Sequence, residues 1–392
     1  YTKMGSELNW IIVFTSCLCL MKQFHITESQ ILLSQVKLSN YLSNFPAINK
    51  TPNYVFSPFN LELALSVLNI GTRGCNANIP GLTPRTNYLR IRSIVELLNE
   101  IKQDGNLTLK INNDLYATSD VKLIDKYVRV IDNIFRASVY YVDFKNDLAS
   151  VVSMINQKIS DNTNGLIVDF IKPDQVDSNT VLLSVNSLYF KGTWKEPFNE
   201  EMVKRTFFAE SGPKDIDMLM GQDMTLLMDQ NELLNAKIIV KDYFKPDFKL
   251  VMLIPIDDTM PLSIVEKNLM NHPEELFIGI SKAKKINANF YMPKINEEFE
   301  VSLLDLPSKK LVCWRRNGID NILKGSKLAI TKINHKVKLE ITAEGSEGAA
   351  VVESDLMDKR LPREITMSKP FLYYIIHKDG PIIFKGRFTI PS

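Results

Sequence analysis

The stretch Thr180–Phe190, TVLLSVNSLYF, is apolar almost throughout. A run of this kind suits a strand covered on both faces. Phe248–Ile256, FKLVMLIPI, repeats the pattern. Downstream, HKVKLEITAEG alternates from His335 to Thr342 and puts Val337, Leu339 and Ile341 on one side. INANFYMPKI ends in a proline-interrupted edge, and PFLYYIIHKDGPIIFKGRFTIP reads as a hairpin around His377–Gly380.

Helical patterns come earlier. ITESQILLSQVKLSNYL opens with Thr27 and Gln30 at capping-box spacing. VFSPFNLELALSVLNIG places Ser57 as N-cap, Pro58 in the first turn and Gly71 past the end. DLASVVSMINQKISDNTNG carries Leu148, Val151, Val152, Ile155 and Ile159 on one helical face. Helices mostly first and strands mostly last point to an α+β fold. No linker rich in Pro, Gly or Ser divides the 392 residues, so one domain is expected.

Lys plus Arg number 47 and Asp plus Glu 45, a net charge of +2. That balance gives no electrostatic reason to expect a nucleic-acid partner. Leu8–Leu20 is uncharged, too short for a membrane span and of the length of a signal-peptide core, with Ser16, Cys17 and Cys19 near a cleavage point. Residues 1–22 are read as a signal peptide and 23–392 as the domain; a buried N-terminal helix is the competing reading. A secreted chain without a membrane partner is expected. The sequons at Asn49 and Asn106 suit that compartment. Beyond the signal, Cys75 and Cys313 are too sparse for a disulfide framework, and one bond or two free thiols are both open.

Enzymatic chemistry is poorly represented. No GxSxG, HExxH, phosphate-binding loop or dinucleotide fingerprint occurs, and no Cys/His cluster suggests a metal. The histidines are His25, His272, His335 and His377. His335 lies in a strand pattern and reads as structural; His377 lies in a turn and reads as solvated. No catalytic residue, metal or cofactor is assigned.

The stretch AEGSEGAAVVESDLMDKRLPRE, Ala343–Glu364, stands between apolar strand patterns. As a strand it would put Ser346, Gly348, Ala350 and Val352 on one face, and Glu347, Ala349, Val351 and Glu353 on the other. The first face is small and uncharged, so it could enter a packed sheet without burying a charge. Gly345 and Gly348 lower strand propensity, so the segment can be a loop as well. Lys359 and Arg360 follow, of the kind trypsin-like proteases accept in an acidic pocket.

These residues resemble the serpins, several motifs matching in order. EITAEGSEGAA (Glu340–Ala350) is similar to the hinge before a serpin reactive loop, through Glu344, Gly345, Ser346, Glu347, Gly348, Ala349 and Ala350. SKPFLYYI with IIFKGRFTIP is similar to the family's C-terminal signature. VNSLYFKGTWKEPF resembles its central-sheet strand and following turn, with Asn186 and Trp194 in place. NYVFSPFNLELALSVLNIGTRG resembles its second helix, with Ser57 and Pro58, and His335 matches the histidine kept near Asn186.

The resemblance implies a serpin fold: a large mixed central sheet, smaller sheets, and an exposed reactive-centre loop at about 345–365. It implies a suicide substrate whose cleaved loop inserts into the central sheet while the protease is held as an acyl-enzyme. About fourteen residues beyond Gly345 and about eleven before Pro370, the family's register falls on Lys359–Arg360. A trypsin-like serine protease is then the covalent partner of a monomeric inhibitor. Ser57, Asn186, Trp194 and His335 would form the structural switch region. A convertase that cuts dibasic sites is an alternative, although Met357 stands where many want Arg. A non-inhibitory hormone carrier or chaperone, and a cytosolic serpin if the N-terminus is no signal, are further alternatives.

Departures exist. Pro80 and Pro84 in Gly74–Arg92 break the amphipathic helix expected there, so Arg85, Arg90 and Arg92 leave glycosaminoglycan binding open. Asp305–Gly325 also fits poorly. Asn60 and Met367 stand where Ser and Phe are commoner, and Gly348 where Ala is.

Overall fold

The computed structural model describes residues 28–71, 79–82, 88–100, 105–245, 247–303, 322–323, 332–345, 362–378 and 381–391. All four cysteines, residues 1–27 and residues 346–361 lie outside them. The helices are α1 (Glu28–Ser43), α2 (Pro46–Asn49), α3 (Pro58–Ile70), α4 (Tyr88–Glu100), α5 (Asp125–Phe135), α6 (Leu148–Asn162), α7 (Leu262–Asn271) and α8 (Glu275–Lys282). The strands are β1 (Tyr54–Phe56), β2 (Leu107–Thr118), β3 (Ser138–Val142), β4 (Leu182–Gly192), β5 (Val203–Ala209), β6 (Gly212–Asn231), β7 (Ala236–Asp242), β8 (Phe248–Pro255), β9 (Lys284–Pro293), β10 (Ile295–Ser302), β11 (Lys332–Ile341), β12 (Arg363–Thr366), β13 (Phe371–His377) and β14 (Ile382–Phe388).

Two sheets organise them into an α+β fold. A nine-stranded sheet runs β1-β14-β13-β8-β7-β6-β9-β12, with β5 also on β6. A five-stranded sheet runs β10-β11-β4-β2-β3. It is mixed: β10/β11 and β2/β4 are antiparallel, while β11/β4 and β2/β3 are parallel. β4 is buried at every position except Lys191, as its unbroken apolar run requires.

The wedge between the sheets is α3. Ser57 caps it: its side chain accepts a bond from the Asn60 backbone N–H, and Pro58 occupies the first turn. Every residue from Pro58 to Leu68 is buried, and the helix touches both β14 and β4. A helix with apolar residues on every side lies inside the protein, and its buried Glu62 accepts a bond from Gln35 Nε2 at 3.0 Å. Each large apolar side chain buried this way contributes about 1.5–3 kcal/mol. Gly71 follows the helix at φ −79°, so it supplies room and no unusual conformation: a Cβ there would come 2.0 Å from Ile322. On the far side of the small sheet, Val151, Ile155 and Ile159 of α6 pack with Leu183 and Val185 of β4. On the outer face of the large sheet, Leu262, Val265 and Leu269 of α7 and Leu276 of α8 cover Ile238, Val251 and Tyr374.

Two strand-level expectations change. β9 is no edge, since β6 pairs along one side and β12, in parallel, along the other. Pro293 merely ends it, before β10 begins. His377 is not a solvated turn residue: it is 2% exposed, closes β13 opposite Phe248 of β8, and sets its ring edge-on to Phe248 at 4.9 Å. The strand simply runs further than the apolar letters do. In the disturbed segment after Gly71, helix α4 starts only at Tyr88, beyond both prolines.

Candidate functional site

The parallel pair β4/β11 is the centre of the site. Its ladder runs from Lys332↔Leu183 to Val337↔Leu188 and stops. β11 continues to Ile341 and β4 to Gly192 without further rungs between them. The pair is therefore closed at one end and unladdered at the other.

Three of the predicted switch residues meet at the closed end. His335 and Asn186 are partners on one rung, and Asn113 of β2 continues the row. The Ser57 backbone N–H donates to Nε2 of His335 at 3.3 Å, tying α3 to β11. That contact makes Nε2 an acceptor, and complete burial pushes the imidazole down to about 3, so it is neutral. Asn186 donates from Nδ2 to Ser184 Oγ at 3.1 Å. Nδ1 of His335, Oδ1 of Asn186 and the side-chain amides of Asn113 and Asn60 have no partner among the described residues. Asn60, where Ser is commoner in the family, is fully buried in α3; Met367, where Phe is commoner, is fully buried and donates its N–H to Tyr291 O at 2.8 Å.

Trp194 lies apart from them, at the unladdered end, under the hinge. Its backbone N–H donates to Glu344 O at 3.3 Å, its indole Nε1 to Thr342 O at 3.0 Å, and the Phe198 N–H to Ala343 O at 2.9 Å. Thus the turn after β4 grips three successive hinge carbonyls. Gly345 is needed there: its φ is +91°, and a Cβ would come 2.3 Å from Gly192 O and 2.7 Å from Trp194 N. Glu344 points to solvent. Ser346–Ala350 and the Lys359–Arg360 bond lie outside the described residues.

Behind Trp194 stand two residues that sequence reading did not single out. Tyr243 stacks on its indole at 4.3 Å between centroids. Lys241 of β7 is 2% exposed, with Nζ 5.1 Å from the Trp194 ring and 4.8 Å from the Phe198 ring. Burial pulls its amine down to about 7, against the pull of the Glu196 and Asp242 carboxylates. A sequence signal existed: strand alternation puts Lys241 in phase with buried Ile239 and Tyr243.

Of the sequon asparagines, Asn49 is exposed at the end of α2, and Asn106 is half-buried, its carbonyl accepting from the Thr193 N–H. No group of three or more His, Cys, Asp or Glu that could hold a metal occurs among the described residues. No described helix is long and apolar enough to cross a membrane.

Comparisons with known proteins bear on the family and the fold. The family model described as Serpin (serine protease inhibitor) matches residues 38–391. Antitrypsin of Bombyx mori is 28% identical over 298 residues, covering 74% of this chain and 75% of that protein. Serpin B11 of Mus musculus is 24% identical over 369 residues, covering 88% and 94%. Among solved structures, a thyroxine-binding globulin complex with thyroxine superposes with a TM-score of 0.78 at 20% identity, covering 93% of this chain and all of that one. With the family model spanning nearly all of the described residues, this chain belongs to the serpin family, whose members are generally protease inhibitors.

Proposed function

We propose that this serpin is a suicide-substrate inhibitor of a trypsin-like serine endopeptidase, with Lys359–Arg360 as its reactive bond. The observation that carries the reading is the β4/β11 ladder, which ends at Val337↔Leu188 while the hinge sits over the strand ends beyond. A strand added there would lie between two strand ends that no rung joins to each other. The segment that follows Gly345 has the side chains such an addition needs. Ser346, Gly348, Ala350 and Val352 present a small, uncharged face, and Glu347 and Glu353 fall on the other.

The protease serine attacks the Lys359 carbonyl, the peptide bond to Arg360 breaks, and an ester to Lys359 forms. Insertion of the released strand then carries the acyl-enzyme away before water completes hydrolysis. Ser57, His335 and Asn186 hold the closed rungs, and Trp194 holds the hinge until that moment. The N-terminal apolar run and the Asn49 and Asn106 sequons support action as a secreted, glycosylated monomer.

The test is incubation with trypsin followed by a denaturing, reducing gel. A stable band at the combined mass, with cleavage mapped after Lys359 and lost in Lys359→Ala, is expected. Clean cleavage without a covalent complex overturns the reading and moves a non-inhibitory carrier role forward.

A further inference from the structure

Lys241 has no part in the cleavage chemistry, yet it occupies the back of the turn that grips the hinge. Its Nζ donates to the Glu196 carbonyl at 2.5 Å and lies 3.6 Å from Met224 Sδ. Residues 193–198 are thus clamped from two sides. On one side the hinge carbonyls of Thr342, Ala343 and Glu344 accept from Trp194 and Phe198. On the other, Lys241 touches both aromatic rings and the carbonyl of the residue between them, while the Asp242 carbonyl accepts from the Lys195 N–H at 3.2 Å.

We propose that Lys241 is a positioning residue of the hinge, whose protonation loosens the turn at 193–198 and frees the hinge for insertion. The physical reason is hydration. A charged amine buried against two rings, a thioether and one carbonyl has lost most of its water, and it regains it when the turn lifts. A neutral amine has far less to gain from opening. The charged groups facing it do not cancel the cost. Glu196 of the turn spends its Oε2 on the Thr225 N–H at 2.7 Å, and Asp242 of β7 pairs with Lys249 of β8 at 3.2 Å. From β6, Met224 Sδ lies 3.6 Å away and carries no charge.

The sign follows from linkage. The amine titrates near 7 with the turn closed and near its ordinary 10.5 once hydrated. The open form therefore gains about tenfold for each pH unit lowered between those values, and gains nothing further below about 7. The consequence for protease trapping rests on the function proposed above; the lock itself does not.

Amide hydrogen exchange at Trp194 and Phe198, whose N–H groups hold the hinge carbonyls, reads the lock directly. The full-length protein is compared with Lys241→Met at each pH, which removes the intrinsic pH dependence of exchange. Wild-type protection relative to that variant should fall about tenfold from pH 9 to pH 8 and level off below about pH 7. Lys241→Gln, which keeps a donor for the Glu196 carbonyl without charge, should follow the Met variant. Parallel protection in wild type and both variants, protection that rises on acidification, or a Gln variant that behaves like wild type would each overturn the proposal. Should the exchange result hold while trypsin forms no covalent complex, the lock stands and the inhibitory reading falls.

Discussion

A histidine is buried at the closed end of the β4/β11 pair and a lysine at the hinge end, and the difference between them is instructive. At the closed end His335 is pushed from 6.5 to about 3; at the hinge end Lys241 is pushed from 10.5 to about 7. Burial is the leading cause in both; at Lys241 the Glu196 and Asp242 carboxylates oppose it, and at His335 burial acts alone. The net displacement is about the same, from different starting values. The histidine is therefore neutral wherever a protein of this class works, and the lysine titrates within that range. One kind of desolvation makes a pH-blind latch at one end and a pH-sensitive one at the other.

The largest effect that could break this comparison is on stability at the hinge end. Lys241 is depressed in the fold, so its burial costs nothing above about pH 10.5, costs more as pH falls, and is at its full cost below about 7. Lys241→Met should raise stability at pH 7 by on the order of 4 kcal/mol and by almost nothing at pH 10.5. Denaturant midpoints at the two pH values check it; an equal gain at both would mean that packing, not charge, is responsible.

The next effect belongs to the closed end. His335 is also depressed, so its contribution is flat above 6.5 and stability is lost as pH falls from there towards 3. His335→Gln can keep an acceptor for the Ser57 N–H and should remove about 3 kcal/mol of the acid loss between pH 7 and pH 4. Thermal midpoints of both proteins across that range would decide, and unchanged acid sensitivity would show that His335 does not titrate on unfolding as described.

The smallest prediction sharpens the contrast in pH behaviour. Ser57→Ala removes the side-chain acceptor for the Asn60 N–H and leaves the Ser57 N–H bond to His335 in place. It should cost about 1 kcal/mol at every pH from 6 to 9. A cost that varied with pH would couple the cap to a titrating group at the closed end.

Much of this was legible from the residues alone. The unbroken apolar run of β4 required cover on both faces, and α3 and α6 provide it. Ser57, Pro58 and the buried phase of Val337, Leu339 and Ile341 stand as their patterns required. The burial of His377 did not show, because a turn signal in the letters says nothing about which strands extend past it. Lys241 escaped because a lysine in a strand pattern is ordinarily read as a solvent-facing break, even when its phase is inward.

Local chemistry, then, is what the sequence determined by itself: which segments extend or coil, which face of each is apolar, and where α3 begins. Tertiary structure decided what faces what. A strand's alternation names its buried side but carries no information about its neighbour, so the parallel pairing of β11 with β4, far apart in sequence, had to come from packing. The same packing takes water away from His335 and Lys241, and desolvation is a property of surroundings, not of a residue. That is why the cap of α3 could be read in the chain, while the desolvation of His335 and Lys241 could be read only in the fold.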